Sequence, residues 1–415
     1  MAVTIVKQPL SVVPAHNDIE WQATSTQYTQ PDFAFYVTVT VVSYSITLNF
    51  KIAPVNNDRL YFNLIEITRK YVSNYYPFQV YGWQTATDAI QEFTVNIGEY
   101  YSGTVHAGSD ETILAYNASL TKEERRLYQP SLYEVTGTKN NDWLNNLYNG
   151  SATNGRTSCK INQDFVFYFL ETGARSVELV TITTYDSSNT LLGTSVISNS
   201  FDPPSSTATK HLCINLGPSG LDNIDSGAVT GTYPIITSSV ASYMIAFRID
   251  NGTGYNYFYR YVDIDRCAPK FEKVTVHYLN RKGAYDFYNF YGNHQKSLNI
   301  NKSVFSGITE RFEGSYDLVG TGTIYPNSPI APNKKTLEIS YETIRVLRSQ
   351  YLSDFEIEAL QDLITSPDII IQTDEKLYLR VTSQDLNYRF KNIGEKQQIL
   401  EITLNEGFTE RRQRG

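Results

Sequence analysis

The sequence predicts a mainly β protein with α+β parts: antiparallel β-sandwich domains, then a small antiparallel sheet with one packed helix. Three observations predict it. Short runs that alternate apolar with polar residues recur through the 415-residue chain. Clusters of Gly, Pro, Asn, Asp and Ser break these runs at short intervals. Tyr is unusually common, at 32 residues against 2 Met, and Tyr and Thr suit the half-buried surface of a pleated strand.

The first region, residues 1–150, opens extended. FAFYVTVTVV (Phe33–Val42) and SITLNFKI (Ser45–Ile52) are joined by a short link and read as a hairpin. RLYFNLIEITRKYV is ambiguous: Leu60, Leu64, Ile67 and Tyr71 keep helical spacing, but β-branched residues intrude. EFTVNIGEYY alternates, with Phe93, Val95 and Ile97 on one face, and TILAYNAS is a further strand. Thr121 with Glu124 fits a capping box and starts a short helix. Residues 136–158 are packed with Asn, Gly and Ser, as a long loop or domain boundary would be.

The second region, residues 151–268, reads as an antiparallel β-sandwich. DFVFYFLE, VELVTITTYD, TLLGTSVI, TKHLCINLG, YMIAFRID and NYFYRYVDID are strand-like and turn signals separate them. IDNGTGYNY is a hairpin, because NG and TG supply residues that tolerate positive φ. Asp250, Asn251 and Asp263 could be imagined as calcium ligands, but their spacing fits turns and no known calcium loop.

The third region, residues 269–415, is α+β. KVTVHYLN places Val274, Val276 and Tyr278 on one face, with His277 read as a partly exposed strand residue. LSDFEIEALQDLITSPD is a helix: Ser353 and Glu356 form a capping box, Phe355, Leu360 and Leu363 form a stripe, and Pro367 follows the end. IIIQ, a TDEK turn, LYLRVT and KQQILEITLNEGF are strands around it, the last with Leu400, Ile402 and Leu404 on one face.

Hydrophobic content of 41% and charged content of 19% fit a packed chain and exclude wholesale disorder. A net charge of −8 argues against a nucleic-acid partner. Cys159, Cys213 and Cys267 are odd in number and contain no Cys-x-x-Cys, so they read as buried free thiols rather than a disulfide framework or zinc site. No signal peptide and no apolar run of membrane-spanning length is visible, so the four glycosylation sequons, at Asn117, Asn149, Asn251 and Asn301, read as coincidental. The five His are scattered, and no HExxH, GxSxG, P-loop or dinucleotide fingerprint occurs. No motif nominates a pair of carboxylates for glycan cleavage. The expectation is therefore no catalytic, metal or cofactor site.

One stretch, RKGAYDFYNFYGNHQKS (residues 281–297), stands out. Its aromatics, Tyr285, Phe287, Tyr288, Phe290 and Tyr291, could stack on bases or sugars, with Arg281 and Lys282 on phosphates. The strand period gives another reading. Tyr285, Phe287 and Asn289 share one face, Asp286, Tyr288 and Phe290 the other, and Gly283 and Gly292 bracket the run as turns. Such a strand is buried on one side by its own domain and covered on the other by a second domain, a second subunit or a ligand.

The motif YLNRKGAYDFYNF resembles one in structural proteins of tailed-bacteriophage virions. RYVDIDRC, the C-terminal LQDLITSPD followed by strands, and PLSVVPAHNDIEW before FAFYVTVTVV are similar to other parts of such proteins. The resemblance implies a non-enzymatic structural part of the tail, baseplate or head–tail region, assembled in the bacterial host cytoplasm. It implies other virion proteins and further copies of the same chain, as a ring-like homo-oligomer, as partners, and no membrane insertion. It carries over no catalytic residue and no cofactor. The alternative is a carbohydrate-binding receptor-recognition module; a glycan-cleaving enzyme is a third.

Overall fold

The structure, a computed structural model, describes residues 3–56, 58–78, 81–136, 143–146, 156–171, 175–201, 210–250, 252–266, 273–292, 294–306, 334–352, 354–372, 378–384, 398–406 and 410–411. Several expectations fall outside that range: those on Cys267, Asn149, Asn251, the TDEK turn, the Ser353 cap and the Gly/Pro-rich segment before Lys334. The chain is mainly β, as expected.

The first sandwich pairs two sheets. β1 (Val3–Lys7), β3 (Glu20–Ser25) and β6 (Arg59–Asn63) form one. β2 (Val12–Pro14), β4 (Ala34–Val41), β5 (Ile46–Ile52), β8 (Ile90–Tyr101), β9 (Thr104–His106) and β10 (Asp110–Tyr116) form the other, in the order β2-β10-β8-β4-β5 with β9 on β8. The β4–β5 hairpin turns at Val42–Tyr44, and Ser45 takes positive φ. Alternation buries Val37, Val39, Phe93, Val95 and Ile97 between the sheets, against Trp21. The ambiguous RLYFNLIEITRKYV segment divides in two: β6 ends at Asn63 and α1 (Ile65–Tyr71) begins at once. The Asn63 side chain receives the backbone N–H of Ile65, which stops the strand and starts the helix.

The second sandwich repeats the plan. β11 (Arg156–Lys160), β13 (Val177–Tyr185), β14 (Leu191–Ser198), β16 (Val229–Gly231), β17 (Ser242–Asp250) and β18 (Tyr255–Asp265) lie in the order β11-β18-β17-β13-β14-β16. In both sandwiches an early strand runs parallel to the last one, β2 on β10 and β11 on β18. The order is that of an immunoglobulin-like sandwich. The facing sheet holds β12 (Val166–Glu171) and β15 (Lys210–Asn215), and its third strand is β7 (Trp83–Thr85), which comes from the first region. Trp83 enters the same core as Phe167, Phe169 and Phe247. Residues 1–150 and 151–268 therefore share a sheet and a core.

The third unit is larger than the small sheet expected. β19 (Val274–Leu279), β20 (Tyr285–Phe290), β21 (Gln295–Ser306), β22 (Lys334–Leu352), β23 (Ile369–Gln372), β24 (Tyr378–Ser383), β25 (Gln398–Asn405) and β26 (Glu410–Arg411) build one eight-stranded sheet, ordered β20-β19-β23-β24-β25-β22-β21 with β26 on β22. Three further α-helices among the described residues are α2 (Lys122–Arg126), α3 (Pro218–Asp222) and α4 (Asp354–Thr365). Thr121 and Glu124 make the expected capping box on α2. Leu360 and Leu363 of α4 pack on Val274, Val276 and Tyr278, whose common face was legible in the alternation. His277, on the opposite face, is a correction: it is buried, not partly exposed. β19 is flanked by β20 and β23, and its second face is covered by the Tyr76 ring rather than by water.

Candidate functional site

The RKGAYDFYNFYG stretch forms the joint of the three units. Asn280 ends β19, and its side-chain oxygen accepts the N–H groups of Lys282 and Ala284, closing the turn from inside. Gly283 sits at φ +88, and a Cβ there would lie 1.8 Å from the Asn117 carbonyl oxygen. Only glycine lets the turn press this closely on the first sandwich. The Arg281 carbonyl accepts from Ser119 N–H at 2.8 Å, and its guanidinium pairs with Glu124 at 3.1 Å and with Asp362 of α4 at 3.5 Å.

The two faces of β20 are divided as the period predicts, and both are covered within the chain. Tyr285 packs edge-on against Tyr76 of the first region, with ring centres 5.0 Å apart. Phe287 does the same against Phe165 of the second sandwich, at 5.1 Å. Asn289 accepts from Thr275 and donates to the Ser158 carbonyl and to Gln163. On the other face, Phe290 enters the α4-side core, with Tyr288 packed beside it. Of the five aromatics named as stacking candidates, Tyr285, Phe287 and Phe290 are buried, while Tyr288 and Tyr291 are partly exposed. The first three have no free ring face for a base or a sugar. Tyr291 lies under the ammonium of Lys273 at 4.8 Å.

Asp286 is the charge at the centre. Its carboxylate accepts both from the Asn146 N–H and from the Asn280 amide. Burial raises its pKa to about 6, against those hydrogen bonds, which pull it back. The neighbouring Asp362 is also raised, first by burial, while Arg281 lowers it. Lys282, largely enclosed beside these acids, is lowered by burial. Asn145 completes the tie: its amide donates to the Val166 and Tyr285 carbonyls and its oxygen accepts from Tyr168 N–H. Residues 143–146, read as part of a loop, are thus among the most enclosed in the chain. The apolar pair Trp143-Leu144 inside an Asn-rich run was the one signal that pointed there.

A cleft of about 680 Å³ opens between the joint, α1 and α4. His16, Asn74, Asn117, Arg281, Asp362 and Asp368 line it. Its carboxylates are engaged: Asp368 accepts from Asn74 and the Tyr285 hydroxyl, with Arg380 at 3.4 Å, and Asp362 holds Arg281. His16 contacts the Asn117 side chain at 2.8 Å. Asn117, one of the sequons, is buried. Among the described residues no group of three or more His, Cys, Asp or Glu is arranged to hold a metal. Asp250 and Asp263 lie at opposite ends of the β17–β18 pair, since Asp263 is opposite Ser242, so they share no ion. Cys159 and Cys213 are buried free thiols whose pKa burial pushes up.

The outer face of the second sandwich carries a feature that the reading of single strands passed over. Tyr255, Tyr257, Tyr259 and Tyr261 alternate along β18, each 36–52% exposed. Successive Tyr positions are about 6.7 Å apart along the strand backbone. Arg248 lies over the Tyr255 ring at 4.7 Å and Arg156 over Tyr261 at 5.9 Å. The stripe was present in NYFYRYVDID as a strict Tyr alternation.

No family model matches the chain, and no curated protein does. Among solved structures, that of the chicken CNTN1 FN1-FN3 domains is similar over 62% of this chain and 69% of that chain, at 11% identity and a TM-score of 0.15. A likeness of that size carries no weight, and the sandwich topology stands on its hydrogen-bonded strand order.

Proposed function

We propose that this chain is a non-enzymatic structural component of a tailed-bacteriophage virion, in the tail, baseplate or head–tail region. The observation that supports it most is the role of the residues that carry the resemblance. Asn280, Arg281, Gly283, Tyr285, Asp286 and Phe287 tie the three units together through hydrogen bonds, an ion pair and ring contacts. Residues that carry the resemblance and serve packing between units suit a structural part better than a catalyst. Its partners are other virion proteins and further copies of itself, and its place of assembly is the bacterial cytoplasm. No helix among the described residues is long and apolar enough to cross a membrane.

The test is mass spectrometry of particles purified from cells carrying the gene in its native genome. The chain is expected in stoichiometric amount with the tail proteins, and its absence from the particles sinks the reading. A second reading, a carbohydrate-binding receptor-recognition module, is favoured by the β18 tyrosine stripe, because exposed aromatic rings in a row can stack on sugars. Glycan-array binding that Tyr257→Ala and Tyr259→Ala abolish would favour it.

A further inference from the structure

The cleft between the joint, α1 and α4, of about 680 Å³, falls within the range of small-molecule sites, roughly 300–1,000 Å³. Its two sides differ in chemistry. The side from the first region carries groups that donate hydrogen bonds, on His16, Arg69 and Asn117, with the Ser119 hydroxyl. The side from α4 and the residues after it carries the carboxylates of Asp362 and Asp368.

One polar group on the first side is left over. Asn117 is 3% exposed, its side-chain oxygen is 2.8 Å from His16 Nε2, and its Nδ2 has no partner among the described residues. Whichever way round the amide sits, His16 meets one end and the other end is unmet. An enclosed polar group without a partner is costly, and a ligand in the cleft that met it would recover that cost. The carboxylates also keep acceptors in reserve. Asp362 Oδ2 receives the Asn146 amide, and Asp368 Oδ2 receives Asn74 and the Tyr285 hydroxyl. Among the described residues their Oδ1 atoms have only guanidinium contacts, at 3.5 Å to Arg281 and 3.4 Å to Arg380, which are long for hydrogen bonds.

The formal charges of the lining cancel, with Arg69 and Arg281 against Asp362 and Asp368. A phosphate, a free carboxylate or a cation would therefore meet like charges as well as opposite ones.

We propose that this cleft binds a neutral sugar of one or two rings. A hydroxyl group both donates and accepts, so it can satisfy either end of the Asn117 amide, while others donate to the Oδ1 atoms of Asp362 and Asp368. The site is separate from the β18 tyrosine stripe. It goes beyond the structural reading, which the composition of purified particles decides independently.

The test is saturation-transfer NMR of the full chain with the methyl glycosides of D-glucose, D-galactose, D-mannose, L-rhamnose and N-acetyl-D-glucosamine, and with D-glucuronic acid as the charged comparison. Transfer to at least one neutral sugar is expected. Asn117→Leu and Ser119→Trp are each expected to weaken that binding by at least about tenfold. Ser119 is exposed, so a larger side chain there fills the cleft while the backbone bond from Ser119 N–H to the Arg281 carbonyl stays in place. Transfer to no neutral sugar overturns the proposal, and so does transfer to glucuronic acid alone. Transfer that survives both variants, or that is lost only in Tyr257→Ala with Tyr259→Ala, puts the sugar elsewhere and overturns it too. Should Asn117→Leu fail to fold, Ser119→Trp and Thr365→Trp, both at exposed positions of the cleft wall, decide.

Discussion

The backbone N–H of Asn146 donates to both carboxylate oxygens of Asp286, at 3.1 and 3.0 Å, although the two residues are 140 positions apart. The contact joins the end of the first region to the start of the third, over the second sandwich. The Asn280 amide donates to the same carboxylate at 2.9 Å, so one buried acid organises both a turn and a domain junction. Burying a charge is tolerable here because hydrogen-bond donors surround it.

Removing that acceptor leaves enclosed donors without partners. Asp286→Ala is expected to destabilise the chain by about 3 kcal/mol, the cost of orphaned buried groups. Asp286→Asn keeps one acceptor oxygen and loses less. Urea denaturation of the two variants checks this, and an alanine variant as stable as wild type would contradict it.

Gly283→Ala meets two obstacles, a positive φ and the Asn117 carbonyl. The expected loss exceeds about 1 kcal/mol. Gly254→Ala serves as the control, because nothing lies within 4 Å of a Cβ built there and its φ is not in the left-handed region. Equal melting temperatures for the two variants would remove the steric account of the joint.

The buried aromatics and the exposed ones separate in their behaviour. Phe287→Ala truncates a ring packed against Phe165 and is expected to cost about 3–5 kcal/mol. Tyr257→Ala and Tyr259→Ala change half-exposed side chains and are expected to cost within about 0.5 kcal/mol. Thermal melts distinguish them. A neutral Phe287→Ala would mean that β20 is not held as described.

Stability depends on pH through two histidines, His211 and His277, and two acids, Asp286 and Asp362. Burial lowers the pKa of His211 to about 4 and of His277 to about 4, the latter despite its hydrogen bond with Gln372. A depressed histidine contributes stability that is full above the unfolded value of about 6.5 and is lost as pH falls toward 4. Asp286 works in the opposite sense. Its folded pKa, raised to about 6, favours the folded state at low pH, and that contribution is lost as pH rises from about 4 to 6. Asp362, also raised by burial, works in the same sense as Asp286, so the histidine contribution is read by difference. His277→Gln is expected to lose less stability than the wild type as pH falls from about 6.5 to 4. A profile unchanged in that variant would show that His277 does not stay neutral in the folded chain.

Local pattern was enough to locate most strands. The β4–β5 hairpin, the β8 face of Phe93, Val95 and Ile97, the capping box on α2 and the β19 face against α4 all follow from period and turn chemistry within a few residues. The division of β20 into two faces follows from alternation alone, because successive side chains of a strand must point to opposite sides. A mainly β chain with one packed helix was legible in the sequence for that reason.

What covers each face was decided only by the tertiary structure. β7 leaves the first sandwich for the second, His277 is enclosed by Tyr76, and Asn146 reaches Asp286. The repeat of one strand order in two sandwiches left no trace of repeated residues, because sandwich cores need a pattern of apolar positions rather than particular side chains. Each of these contacts spans a long separation in sequence, so its partner leaves no mark on the local period. RKGAYDFYNFYG was thus readable as a two-faced strand, but its place at the meeting of three units came from residues far away in the chain that folding brought around it.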